Sequence, residues 1–148
     1  MVHNVDIRLV DGWDDHEIIA LYRAGGWWKD DADPASIREL ICGSFLFAVA
    51  VELTTGRAIG MGRVLSDGVS DGYIQDLVVL PGYRKGGIGR MIVSALLAAC
   101  QAKGLSWIGL IAEPGSERFY LPLGFRRMRG YIPLLYDPGR EDSDALHR

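Results

Sequence analysis

The sequence predicts a mixed α+β domain: a mostly antiparallel sheet of six to seven strands containing one parallel pair, flanked by about four helices. Three observations carry this expectation. Strand-like segments follow one another from Phe45 to Leu80 with short polar turns between them, the pattern of an antiparallel meander. Beyond Pro81 the apolar residues switch to helical spacing at Ile88, Met91, Ile92, Ala95, Leu96 and Ala99, one face of a long helix. Trp107 to Ile111 then reads as another strand, and a strand returning after a helix pairs in parallel through a right-handed crossover.

The elements follow in order. Val5, Ile7 and Leu9 alternate with Asp6 and Arg8, which predicts a half-buried strand. Asp14 and Asp15 are capping residues for a helix over 14–24, whose stripe of Ile18, Ile19, Leu21 and Tyr22 ends at Gly25-Gly26. A polar loop carrying Trp27 and Trp28 leads to a second, short helix that starts at Pro34 and stops at Gly43. Phe45–Leu53 and Ala58–Leu65 form a hairpin around Thr54-Thr55-Gly56, and Tyr73–Leu80 follows as the next strand. The long helix ends at Lys103-Gly104. After the Trp107 strand come a short helix over Ser116–Leu123 and two strands, Phe125–Met128 and Ile132–Tyr136.

Composition narrows the function. The 148 residues, 49% hydrophobic, suit one domain over 1–136 with a polar tail over 137–148. A net charge of -3 does not attract nucleic acid. The longest apolar run, Phe45 to Val51, is far below the roughly 20 residues of a membrane span. The first residues carry no basic and apolar leader, so the expected location is the cytoplasm. Cys42 and Cys100 sit in apolar periodic segments and read as small buried hydrophobes, with no metal-ligand spacing around them. His3, His16 and His147 lie near the termini, away from either thiol.

The chemistry concentrates in Leu77-Val78-Val79-Leu80-Pro81-Gly82-Tyr83-Arg84-Lys85-Gly86-Gly87-Ile88-Gly89-Arg90, a strand entering the long helix through a basic, glycine-rich turn. Exposed amides and the positive end of the helix dipole make such a turn suited to an anion. It is not a P-loop, because Ile88-Gly89-Arg90 stands where Lys-Ser/Thr is required, and it is not a dinucleotide fingerprint, because Ile92 replaces the third glycine. What remains is Arg-x-x-Gly-x-Gly from Arg84 to Gly89. Together with Ala112-Glu113-Pro114-Gly115-Ser116-Glu117-Arg118-Phe119-Tyr120-Leu121-Pro122-Leu123-Gly124-Phe125, this closely resembles the GCN5-related N-acetyltransferase family, and the resemblance covers roughly residues 6–136.

The resemblance implies acetyl-CoA as co-substrate and a diphosphate held by main-chain amides of Lys85, Gly87, Gly89 and Arg90, along the path Arg84, Gly86 and Ile88; the spacing of the cysteines and histidines leads to the expectation of no metal. It implies a pantetheine arm beside Leu77, Val78 and Val79, where the fourth and fifth strands splay, with the Val79 amide as oxyanion donor. Ser116 is either a coenzyme contact or the N-cap of the short helix. Tyr120 is implied as the acid that protonates the departing thiolate, since a phenol with pKa near 10 keeps its proton at neutral pH.

A lysine-like amine must also lose a proton, a handicap of about 4.6 kcal/mol at pH 7. Asp76, beside the apolar part of its strand, is the candidate base or amine-orienting group. Tyr22, Trp27 and Trp28 form an aromatic candidate wall for the acceptor, expected to be the primary amine of a small molecule. A non-catalytic acyl-CoA-binding regulatory module and an acetyltransferase of protein lysines or N-termini are the alternatives. The apolar segment Ile132–Tyr136 offers a surface for a homodimer.

Overall fold

The computed structural model describes residues 4–139; His3, His147 and the tail beyond Gly139 lie outside the described residues. They form two compact units, one up to Leu110 and one from Ile111.

The first unit is a five-stranded sheet in the order β1 (Val5–Leu9), β2 (Leu46–Glu52), β3 (Ala58–Leu65), β4 (Asp71–Val79) and β5 (Trp107–Gly109). Neighbours pair antiparallel, with Ile7 opposite Ala50, Ala48 opposite Gly62 and Met61 opposite Val78. The exception is β4 with β5, parallel and joined through α3 (Ile88–Ala102). Successive residues of β3 face opposite layers, both of them covered, which is why its sequence is apolar almost throughout. Met61 packs on one face with Phe47, Val49, Val51 and Val78, against Ile18 and Leu21 of α1 (Asp15–Ala24) and Ile37 and Ile41 of α2 (Ser36–Gly43). Gly60 and Gly62 face the other layer, where α3 lies. A Cβ at Gly60 would meet Ile92 Cδ1 at 3.0 Å, and one at Gly62 would meet Ile92 Cγ2 at 3.0 Å and Leu96 Cδ1 at 3.2 Å. The two glycines therefore let α3 press its Ile88, Ile92, Val93 and Leu96 stripe onto the sheet, burial worth about 2 kcal/mol for each side chain.

Asp14 caps α1, accepting from the Glu17 amide at 3.0 Å. Cys100 is buried, as expected, whereas Cys42 is exposed, because the periodicity of α2 turns Ile37 and Ile41 inward and leaves its neighbour outside.

The second unit holds α4 (Glu117–Tyr120) and a 3-10 turn over Leu121–Leu123. The single helix expected over Ser116–Leu123 is thus broken into two tight pieces at Pro122, which cannot donate to a continuing α-ladder. The expected strands Phe125–Met128 and Ile132–Tyr136 are not strands here: the described residues make five strands, not six to seven. A strand exists only through a partner's ladder, and β-propensity alone supplies none. Likewise β5 stops at Gly109 rather than Ile111, because its pairing with β4 ends at Tyr73 opposite Gly109.

Candidate active site

Beyond Val79 the chain enters a turn that leads into α3. Lys85 and Gly87 both take left-handed conformations, φ 66° and 83°. Gly87 is the N-cap of α3, and no side chain caps the helix. The first intrahelical bond is Met91 N to Gly87 O, 3.0 Å, so the amides of Ile88, Gly89 and Arg90 precede the ladder and point out of the helix end. No acidic residue stands in the first turn. A Cβ built at Gly82 or Gly87 meets nothing within 4 Å, and at Gly86 only the Tyr83 carbonyl at 3.7 Å. Arg84, Lys85 and Arg90 are exposed around this open ground. Outward amides, a helix dipole, basic side chains and unfilled space fit a diphosphate.

The strand leading there is irregular. Met61 pairs with Val78 but Arg63 pairs with Gln75, so Asp76 and Leu77 together oppose Gly62, a β-bulge. Asp76 sits in it at φ 60°, left-handed although not glycine. Its Oδ2 accepts from Tyr22 Oη at 2.7 Å and from Arg63 Nε at 2.8 Å. The guanidinium also reaches Gln75 Oε1 at 3.1 Å and Ser44 Oγ at 3.5 Å. Burial first, and then the Asp76 carboxylate, push the Tyr22 phenol well above its ordinary pKa, with Arg63 opposing. Tyr22 therefore stays a donor.

Past the bulge, Leu80 N donates to Ile59 O at 2.9 Å, which turns the polar groups of Val79 the other way by the alternation of an antiparallel ladder. The Val79 carbonyl is met there by Arg84 Nε at 2.9 Å. On that side β5 has already stopped pairing. Beyond Tyr73 the outer edge of β4 therefore has no strand beside it among the described residues; Val79 turns its main chain to that edge, whereas Val78 turns to Met61 of β3.

Comparison with known proteins matches residues 11–125 to the acetyltransferase (GNAT) family. The chain belongs to that family. GCN5-related N-acetyltransferase 1, chloroplastic, of Arabidopsis thaliana is 38% identical over 71 residues, and serotonin N-acetyltransferase 2, chloroplastic, of Oryza sativa subsp. japonica is 39% identical over 72. Those stretches cover 48% and 49% of this chain and about a third, 36%, of each relative's length. Among solved structures, a GNAT acetyltransferase from Streptococcus pneumoniae superposes with TM-score 0.76 at 21% identity, covering 93% of this chain and all of that one. An aminoglycoside N-acetyltransferase in complex with CoA gives TM-score 0.72 at 19% identity, covering 92% of this chain and 97% of that one. At such identities the likeness is one of fold.

Apart from Asp76, Ser116 and Tyr120, the site residues inferred from the sequence fall into three groups. Arg84 to Arg90 form the turn, and Leu77 to Val79 the end of β4 beyond the bulge. Tyr22, Trp27 and Trp28 line a cavity of about 200 Å³ between α1 and α2, together with Lys29, Ala32, Ser36, Ile37 and Leu40. Trp27 meets the Tyr22 ring edge-on at 6.2 Å. Trp13 is apart, its indole donating to Glu17 at 3.2 Å.

Ser116 and Tyr120 belong to the second unit. Ser116 stands at the N-cap position of α4, one of the two alternatives for it, but its side chain does not cap the helix: its hydroxyl donates back to Glu113 O at 2.7 Å. Tyr120 is packed between the rings of Phe119 and Phe125 at 4.9 and 5.7 Å. Burial, then the Glu113 carboxylate, raise its pKa, so its phenol holds its proton beyond the usual range. Arg63 and Ser44 escaped the sequence reading. The only signal was an arginine inside the otherwise apolar segment Ala58–Leu65, a charge that has to be paired when its strand is buried.

Proposed function

We propose that this chain is an acetyl-CoA-dependent N-acetyltransferase that acts directly on the primary amine of a small molecule while both substrates are bound. The observation that carries the reading is the continuity of the unpaired β4 edge with the open, amide-lined turn at the head of α3. Amides of Lys85, Gly87, Gly89 and Arg90 hold the diphosphate, with Arg84 and Lys85 adding charge and Gly86 and Ile88 shaping the path. The main chain of Leu77, Val78 and Val79 receives the pantetheine arm as an added strand would be received. Bound there, acetyl-CoA supplies an activated acetyl thioester.

The rest falls to side chains and one amide. The Val79 N–H donates to the acetyl oxygen, in the manner of an oxyanion hole. Asp76 orients the amine, and with Oδ2 already accepting twice, Oδ1 takes the new contact. As the C–N bond forms and the C–S bond breaks, the nitrogen gives up a proton toward Asp76 and solvent, and Tyr120 Oη donates one to sulfur. Transfer is direct because Cys100 is buried, with burial raising its thiol pKa, and Cys42 donates to a main-chain carbonyl. The aromatic cavity, below the ~300 Å³ of drug-sized pockets, suits a small acceptor, and serotonin is the acceptor named for one relative.

Calorimetry with acetyl-CoA, and thiol release with a library of amines, test the proposal. Binding with release is expected. Binding without release would make the chain a regulatory acyl-CoA module, release only with peptides would make it a protein acetyltransferase, and no binding overturns the reading. In Tyr120→Phe, kcat falls about 100-fold with acetyl-CoA affinity unchanged. Glu113→Gln removes a charge that raises the Tyr120 pKa, so the alkaline limb of kcat moves to lower pH.

The assembly is a homodimer through the segment after Gly130. Tyr131, Ile132, Leu134, Leu135 and Tyr136 are 74–90% exposed, on the order of 800 Å² in all, the scale of one side of a standard interface. A second copy is the occupant because the segment is self-complementary: antiparallel pairing about Pro133 sets Arg129 opposite Asp137 twice. Leu134→Asp is expected to yield monomers in light scattering, and a wild type monomeric at high concentration overturns the dimer.

A further inference from the structure

Arg63 enters neither the transfer nor the binding of acetyl-CoA described above, yet its guanidinium ties β3 to β4 and to the end of α2. Nε meets Asp76 on β4, Nη2 meets Gln75, and Nη1 reaches Ser44 at the end of α2. The Ser44 hydroxyl donates in turn to Leu40 O at 2.7 Å. From α1, Tyr22 closes on the same Asp76 oxygen. Tyr22 and Leu40 both line the aromatic cavity. Both helices that wall the cavity are therefore tied to one carboxylate, and that carboxylate sits in the left-handed residue of the bulge.

Stability does not explain the arrangement. Arg63 and Asp76 are only 15% and 14% exposed, and a pair so far removed from water gains little in folding over an apolar substitute, because desolvation offsets the attraction. What a guanidinium supplies is direction, a planar fork whose donors leave at fixed angles. A fork that engages a carboxylate, an amide oxygen and a hydroxyl at once holds the three in one relative placement.

We infer that Arg63 is a positioning residue for the acceptor amine: with Tyr22 it occupies Asp76 Oδ2 and presents Oδ1 to the ammonium of an acceptor whose apolar body lies in the α1–α2 cavity. The inference rests on the acetyltransferase reading and adds the acceptor class, a compact amine with an apolar body and its charge at one end. Recognition is then divided. The cavity, mostly apolar with Lys29 in its lining, reads shape, and the Asp76 carboxylate reads charge while Arg63 and Tyr22 hold it.

The test separates those two parts without acetyl transfer. Tryptophan emission is titrated with 2-phenylethylamine and with neutral 2-phenylethanol, in the absence of acetyl-CoA. Wild type is expected to hold the amine about tenfold more tightly than the alcohol, the scale of a charged hydrogen bond. Arg63→Lys keeps the charge and loses the fork, so the preference drops to about threefold while alcohol affinity stays the same. Tyr22→Phe, which deletes one hydroxyl, is expected to lower the preference as well, and the double variant to lose less than the product of the two, because both act on one carboxylate. In turnover, the acceptor KM rises and the acetyl-CoA KM is unchanged.

Full preference for the amine in both single variants overturns the inference. So does a loss shared equally by amine, alcohol and acetyl-CoA, which would mark Arg63 as a general support of the fold. If the preference behaves as expected and no amine is acetylated, the acetyltransferase reading fails and the ammonium site stands.

Discussion

Asp76 and Lys85 share a rare backbone conformation, φ 60° and 66°, and resolve it in opposite ways. Each is a side-chain-bearing residue where about 1 kcal/mol favours glycine. Asp76 is 14% exposed, and its carboxylate takes hydrogen bonds from two different elements. Lys85 is exposed in an open turn beside two more residues of positive φ, Gly82 and Gly87. At the bulge, contacts within the protein hold the strained residue. At the turn, the same strain aims amides outward, where an anion would complete them. One left-handed residue thus belongs to the protein's own bonding, and the other, on the proposed function, to the diphosphate.

Replacing both residues by glycine sharpens the difference. Asp76→Gly relieves the backbone and leaves Arg63 nearly buried without its carboxylate, so a net loss of about 3 kcal/mol is expected in urea denaturation. A loss below 1 kcal/mol would mean that the pair does not hold the bulge. Next in size is Gly87→Ala, which adds a methyl to a φ of 83° with no neighbour within 4 Å. Folding should lose about 1 kcal/mol from the backbone alone, and calorimetric acetyl-CoA affinity about tenfold as the amide path shifts. Smallest is Lys85→Gly, where stability should rise by at most about 1 kcal/mol as the left-handed strain is relieved. Its acetyl-CoA affinity falls about threefold in dilute buffer and matches wild type near 1 M salt, because an exposed charge is screened. If Lys85→Gly destabilises as much as Asp76→Gly, the contrast between the two sites breaks.

The turn at Lys85 could be read from the chain because all its parts are adjacent: glycines, basic residues and a helix start within Arg84 to Arg90. The bulge could not. Asp76 was recognisable as a carboxylate in a strand, but Arg63, Tyr22 and Ser44 come from 13, 54 and 32 residues away, and no local pattern encodes which of them it meets. The same distinction separates α3, whose stripe declares its buried face, from Phe125–Met128 and Ile132–Tyr136, which have strand-like composition without a ladder. Gly60 and Gly62 lie between these cases, since their spacing is visible and the close approach of Ile92 and Leu96 is not.

Periodicity, caps and the motif from Arg84 to Gly89 are properties of short stretches, so the amino-acid order alone determined the antiparallel meander, the parallel crossover and the glycine-rich turn at the head of α3. Strand count, the irregular register at Asp76, the exposure of Cys42 and the clamp on the carboxylate depend on which distant segments share a ladder or a buried charge. Those were decided only by tertiary structure, because a hydrogen-bond ladder or an ion pair has no energy until both of its halves are in place.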